Sequence, residues 1–263
     1  MVVPATTAGW AALARPALRD GLHVVRRDDR HLQIGLDDPD RLVLPDRPGL
    51  LAALTRLDHP PPDGVRAVVD RLVDDGWVID LPAEAEARRT ATATRPPVAL
   101  GVDPLLRDAV GRACLTADLR VDDEAHVRLV VSLGEPSRAV SDVLMREDVP
   151  HLWVAVQPRR VRLGPFVEPG RSACLRCVDA HLGERDPRRA TVLHQVGDLP
   201  PSPHAAVDPG LVSLAAAWAV RDVCRRLDGQ EPSLRSADIT ISDALEATRR
   251  TWLRHPHCGC AWG

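Results

Sequence analysis

Cys174-Leu175-Arg176-Cys177 and, after 80 intervening residues, Cys258-Gly259-Cys260 decide how this sequence is read. Thiolates are soft ligands, and two close pairs suit a tetrahedral zinc ion. A pair two or three residues apart bends round one face of a metal. A second pair from far along the chain closes the site. With all four places taken by cysteine, no coordination position is left for water, so the predicted site is structural rather than catalytic. A C-x-x-C can also be a redox pair, and any two cysteines can form a disulfide. The C-x-C pair is poorly shaped for bonding to itself. The expectation is a Zn2+ ion on Cys174, Cys177, Cys258 and Cys260, clamping the C-terminal stretch onto the middle of the chain.

The 263 residues suffice for one large domain or two modest ones, and 44% hydrophobic residues can build a core. No apolar run reaches the roughly 18 residues of a membrane span. Residues 1–10 lack a basic region followed by an apolar stretch, so no secretion signal is read there. The expected location is cytoplasmic and reducing, which favours metal over disulfide. Cys114 and Cys224 lie in apolar stretches and read as core. The net charge of −3 does not suit a general nucleic-acid binder. The sequence contains no lysine, asparagine or tyrosine; all 34 basic residues are arginine. Schiff-base chemistry and a lysine on a nucleotide phosphate are thereby excluded.

Residues 10–18 read as one or two helical turns. Short strands are predicted at 22–26, 31–35 and 41–44, with a charged turn at 27–30. Leu50, Leu51, Leu54 and Leu57 suit one face of a short helix. Val65, Val68, Val69, Leu72 and Val73 follow the helical period, Gly76 stops it, and 77–80 is a last strand. Three strands, helices and a strand outline a winged helix. DNA binding is the obvious use of that outline, but 21–80 holds 8 arginines against 12 aspartates, a balance of −4. A helix facing phosphates should be basic. The other use is to accept a peptide as an extra strand along an exposed edge. The third strand is the natural edge, and the amphipathic helix would wall the groove. Residues 82–96 are small, charged and aperiodic, and read as a linker or a solvated helix followed by one.

From residue 97 the period changes. Strands are expected at 97–101, 118–121, 126–132 and 151–156, and helices at 105–115 and 137–148. This alternation predicts a largely parallel α/β sheet. An antiparallel strand at 160–164, a buried helix at 211–227 and closing strands at 237–242 and 247–253 follow. Residues 183–209 read as a long irregular loop. A phosphate cradle of the G-x-G-x-x-G kind is missing after the strand at 97–101. One glycine, Gly101, is followed by Val102-Asp103-Pro104, and Asp103 reads as a helix cap. The Walker pattern is absent too, so ATP is not an expected cofactor.

The run from Gly164 to Pro187, which carries Cys174 and Cys177, resembles the zinc-bearing segment of ThiF-like proteins, relatives of ubiquitin-activating enzymes. His255-Pro256-His257-Cys258-Gly259-Cys260 is similar to the second half of that site. The chain resembles in particular the ThiF-like partner proteins of azole- and azoline-forming YcaO cyclodehydratases. These partners carry an N-terminal winged-helix peptide-recognition element, whose outline residues 21–81 match. The resemblance implies a winged-helix module at 1–81, a linker at 82–96 and a degenerate Rossmann-type α/β domain with structural zinc at 97–263. It implies binding the leader of a ribosomally made precursor peptide and presenting it to the YcaO enzyme, as a non-catalytic scaffold and possible homodimer. Catalytic members of the wider family use a glycine-rich loop with arginine, asparagine, lysine and aspartate around ATP. This chain departs from that pattern. An ATP-dependent adenylyltransferase is the alternative.

The leader is expected as a strand beside Arg41, Leu42, Val43 and Leu44, packing on Val65, Val69 and Leu72. Arg66 and Arg71 would meet its acidic residues. Arg171, Arg176, Arg185, Arg188 and Arg189 form a basic cluster that reads as a solvated face, a phosphate clamp or a contact with an acidic partner. His255 and His257 flank the C-x-C pair as alternative ligands, and His181 and His194 read as ordinary polar contacts or as neighbours of the metal or the long loop.

Overall fold

The protein is described from a computed structural model, which places residues 9–197 and 207–260. The chain divides into two compact units, Met1–Ala93 and Thr94–Gly263.

In the first unit, strands β2 (Val24–Arg26), β3 (His31–Ile34) and β4 (Leu42–Pro45) form an antiparallel sheet in that order. Helices α1 (Leu50–Thr55) and α2 (Asp63–Asp74) follow. Val65, Val69 and Leu72 recur at helical spacing, so α2 turns one stripe inward. That stripe is buried with Leu32, Ile34, Leu50 and Leu54. One strand was not legible in the sequence. Residues 10–18 hold a single tight turn at Trp10–Ala12, and Pro16–Leu18 is strand β1, antiparallel to β5 (Val78–Asp80). Three residues headed by proline carry no alternation, and the partner lies some sixty residues away. Residues 82–96, read as a linker or a solvated helix followed by one, hold most of a helix, α3 (Leu81–Thr94), which buries no side chain.

The second unit is built on six strands in the order β11-β10-β9-β8-β7-β6. They are β6 (Ala99–Val102), β7 (Arg128–Leu133), β8 (His151–Gln157), β9 (Arg160–Val167), β10 (Ala237–Ser242) and β11 (Ala247–Thr251). The expected largely parallel sheet is instead mixed. Pairs β6–β7 and β7–β8 are parallel, because α4 (Arg107–Thr116) and α5 (Arg138–Arg146) cross between them. Pairs β8–β9, β9–β10 and β10–β11 are antiparallel. The connections β8–β9 and β10–β11 are tight turns, too short for a crossover. The strand expected at 118–121 is reduced to one bridge, Val98 to Val121. Asp118 there has a left-handed backbone (φ 50°), which breaks an extended run.

Successive residues of β7 and β8 point to opposite faces. Leu129, Val131, Leu152, Val154 and Val156 pack with α4 and α8 (Pro209–Leu227). Val130 and Trp153 face the other way, toward α5 and α6 (Leu175–Gly183). Gly164, at φ +100°, lets β9 approach β10 closely; a Cβ there would lie 2.2 Å from the Ala237 carbonyl oxygen. Part of the loop expected at 183–209 is helical, as α7 (Arg189–Gly197), and 198–206 lies outside the described residues. Among the described residues no helix is long and apolar enough to cross a membrane.

Candidate metal centre

Helix α6 starts at the first thiol pair. Cys174 is its N-cap residue and Cys177 lies in its first turn, so both sulfurs sit at the positive end of the helix dipole. The Ser236 hydroxyl accepts the Ala173 N–H at 2.9 Å and fixes the entry to this turn. Both cysteines are buried.

The second pair arrives through the segment after β11. Trp252 anchors that segment, its indole N–H donating to Asp238 at 2.7 Å. The Leu253 carbonyl accepts from His181 Nε2 at 3.0 Å. The His255 carbonyl accepts the Cys258 N–H at 3.1 Å. Gly259 takes φ +79°, which turns Cys258 and Cys260 toward one point.

The four sulfurs converge. Cys174 lies 3.5 Å from Cys258 and 3.7 Å from Cys177, and Cys177 lies 3.3 Å from Cys260. A tetrahedral zinc ion with Zn–S bonds of about 2.3 Å needs sulfurs about 3.8 Å apart. The donor set and spacing therefore fit such an ion, held by Cys174, Cys177, Cys258 and Cys260. Four thiolates close the coordination sphere, and what a bound ion supplies here is cross-linking.

Cys177 is held well below the usual thiol range, first by the Cys174 S–H and then by the N–H of His255 at 3.3 Å. Burial pushes Cys260 up to about 12, and its contact with the ionised Cys177 adds to the shift. Metal binding takes thiolates, so a divalent ion held here would release protons.

His255 and His257 stand outside the four-sulfur set. His255 is buried and its Nε2 donates to Glu184 at 3.0 Å. His181, Glu184 and His255 bring ligand-type atoms within 4.8 Å of one another. No local pattern in the sequence marks His255 for a supporting role, or marks Glu184 or the Trp252–Asp238 pair. Their partners lie some 14 to 71 residues away and leave no spacing signature.

The expected peptide-binding residues divide into two groups. Arg41, Leu42, Val43 and Leu44 lie on or beside β4, an outer strand of its sheet. Leu42 and Leu44 lean on the core while Val43 is 41% exposed. Val65, Val69 and Leu72 do not wall an open groove. All three are core, because the same spacing that makes α2 amphipathic turns them inward. Arg66 and Arg71 reach solvent on α2, each near an aspartate, Asp63 and Asp75. The basic cluster is partly neutralised within the fold. Arg176 grips Asp142 through two bonds, and Arg189 lies 3.4 Å from Asp179.

At the carboxyl ends of β6 and β7 the charges are also engaged. Asp103 caps its own turn, accepting the Leu105 N–H at 3.0 Å, as expected. Glu135 accepts from both Arg138 and Arg162 at 3.0 Å, and Arg138 donates two bonds of 2.8 Å to Asp179.

No protein-family model matches the sequence, and no curated protein matches it. Solved structures do. The heterocyclase TruD superposes over 94% of this chain with a TM-score of 0.69 at 19% identity. A heterocyclase in complex with substrate and cofactor does so at 0.68 and 17%. This chain spans only about two fifths of those proteins, 42% and 39% of their lengths. E. coli MccB, solved with MccA-N7isoASN, matches over 94% of this chain and 99% of its own, with a TM-score of 0.65 at 12% identity. At these identities the likeness is one of architecture: this chain has the α/β fold shared by the heterocyclase TruD and E. coli MccB.

Proposed function

We propose that this chain binds the leader of a ribosomally made precursor peptide and presents it to a YcaO-type cyclodehydratase for azoline and azole formation. In this reading it is a non-catalytic scaffold. The observation that carries the proposal is the outer edge of β4 in a small, separately cored unit. Within the chain we read 1–81 as a winged-helix recognition module, 82–96 as the connection and 97–263 as the zinc-bearing domain. A peptide that adds a strand beside Arg41, Leu42, Val43 and Leu44 gains main-chain hydrogen bonds, and side-chain contacts add selectivity. Arg66 and Arg71 offer cations to acidic leader residues. Val65, Val69 and Leu72 contribute by holding α2 in place. Support comes from the fold neighbours, which include heterocyclases and an MccB solved with MccA.

One observation favours a second reading, an ATP-dependent adenylyltransferase. The chain matches MccB over nearly its whole length, and MccB has been solved with ATP. Against it, ligands of α/β sheets bind beyond the carboxyl ends of the strands, and there Asp103 caps its own turn while Arg138 and Arg162 are already paired with Glu135. This sequence also offers no lysine to neutralise a phosphate.

The test is fluorescence polarisation of a labelled leader peptide, encoded beside this chain, against the full chain. Val43→Asp combined with Arg66→Glu changes only solvent-reaching positions. It should weaken binding at least tenfold with an unchanged circular dichroism spectrum. Val69→Asp is unsuitable, since it places a charge in the core. Undiminished binding by the double variant overturns the β4 site. No leader binding by the wild type, together with calorimetric binding of Mg-ATP, would establish the adenylyltransferase instead.

A further inference from the structure

His255 is 4% exposed, yet it has four polar partners. Its backbone N–H donates to Cys177 Sγ at 3.3 Å, and its carbonyl accepts the Cys258 N–H at 3.1 Å. On the ring, Nδ1 accepts the His257 N–H at 3.2 Å. That bond leaves the proton on Nε2, which points at Glu184 Oε1, 3.0 Å away. One residue thus touches a sulfur of the first thiol pair, the backbone of the second and a carboxylate.

That carboxylate stands at a particular place. Glu184 is the C-cap of α6, the helix whose N-terminus carries Cys174 and Cys177. One helix therefore presents the first thiol pair at one end and a hydrogen-bond acceptor for the arriving segment at the other. His181, one turn earlier, holds the Leu253 carbonyl, stacks on Trp252 and meets His255 edge-on at 4.7 Å.

We propose that Glu184 and His255 form an anchor that positions Cys258 and Cys260 over Cys174 and Cys177, setting zinc affinity without ligating the metal. The inference rests on reading the four cysteines as a zinc site. Groups that orient metal ligands typically change affinity ten- to a hundredfold when removed. The grouping of His181, Glu184 and His255 suggests a second ion as the rival. The proton placement opposes it. Nε2 of both histidines faces an oxygen acceptor, so an ion would have to displace both of those protons.

The experiment uses the full chain loaded with zinc. Metal content gives stoichiometry, competition with the chelator 4-(2-pyridylazo)resorcinol gives affinity, and the absorption spectrum of the cobalt-substituted protein reports the ligand set. Glu184 is an exposed side chain, so Glu184→Ala should fold. The wild type should bind one ion. Glu184→Ala should still bind one, about tenfold more weakly, with an unchanged four-thiolate cobalt spectrum. Glu184→Gln keeps an oxygen acceptor for Nε2–H and should recover most of the loss. Unchanged affinity in Glu184→Ala overturns the anchor. So do two ions in the wild type falling to one in the variant, which makes Glu184 a ligand. A wild type that binds no zinc overturns the four-cysteine reading itself, before any variant is compared.

Discussion

The Trp252 indole N–H and the Asp238 carboxylate meet at 2.7 Å in the interior, joining the segment that leads to Cys258 back to strand β10. Burial raises the Asp238 carboxyl, and the Trp252 bond works against that shift. Trp252→Phe keeps most of the ring but leaves the carboxylate short of a donor. Leaving a buried acceptor unsatisfied costs about 1–3 kcal/mol. Asp238→Asn, whose amide oxygen still accepts from the indole, should cost less. Urea denaturation of both variants checks the order; a larger loss in Asp238→Asn than in Trp252→Phe would assign the stabilisation to the charge rather than to the bond.

Arg138 is a second tie, between the start of α5 and α6. Its side chain is 13% exposed and bonds Asp179 through two nitrogens while also reaching Glu135. Removing one partner of a buried pair costs about 3–5 kcal/mol. Arg138→Met should fall at the lower end, since Arg189 stays near Asp179. A double-mutant cycle with Asp179→Ala should return a coupling above about 1 kcal/mol. Additive losses would show that the two act separately. The network also has a pH signature. Burial pushes Glu135 up, but Arg162 and Arg138 outweigh it and hold the carboxyl below its usual range. Its contribution is present above the unfolded glutamate value of about 4.3 and is lost as pH falls through the lower folded value.

His151 sets a different pH dependence. It is fully buried on β8, its Nδ1–H donates to the Val149 carbonyl at 2.7 Å, and Nε2 has no partner. Burial pushes it from 6.5 down to about 4. Between those values the unfolded chain binds a proton that the folded chain does not. Stability is therefore complete above about pH 6.5, falls as pH drops toward 4 and levels off below, a swing of about 3 kcal/mol. His151→Leu should flatten that part of the curve. Equal slopes in variant and wild type between pH 4 and 6.5 would refute the assignment.

The thiol pairs were legible because metal ligands repeat at short spacings, and the core of α2 because its stripe repeats at helical spacing. Both patterns are local. The same α2 pattern says less about function: periodicity marks a buried stripe but does not say whether the unit's own core or a peptide covers it. Val65, Val69 and Leu72 turned out to be core. Strand direction was legible only where the connection length fixed it, so the helical crossovers implied parallel pairs and the tight turn before Arg160 an antiparallel one. Strand β1 and the anchors Asp238 and Glu184 depend on partners far along the chain, and nothing in their neighbours marks them.

Metal removal gives the last prediction. The four cysteines join two segments separated by 80 residues, so a bound ion closes a loop of that length. By the chain-entropy relation, a cross-link of that span stabilises by about 4 kcal/mol. Cys258→Ser, or the wild type stripped with a chelator, should lose stability of that order in the second unit. The loss should be uneven. Strands β7 and β8 are paired on both sides and buried on both faces, so their amides should stay protected from hydrogen exchange. Residues 253–260 have no strand partner and are held by the thiol site and a few hydrogen bonds, so their exchange should accelerate most. The turn at 172–178 should follow, because Cys174 and Cys177 would lose the sulfurs that close over them. Uniform acceleration across the sheet would mean that the ion supports the whole unit, whereas unchanged exchange at 253–260 would mean that the Trp252, His181 and His255 bonds hold the segment without it.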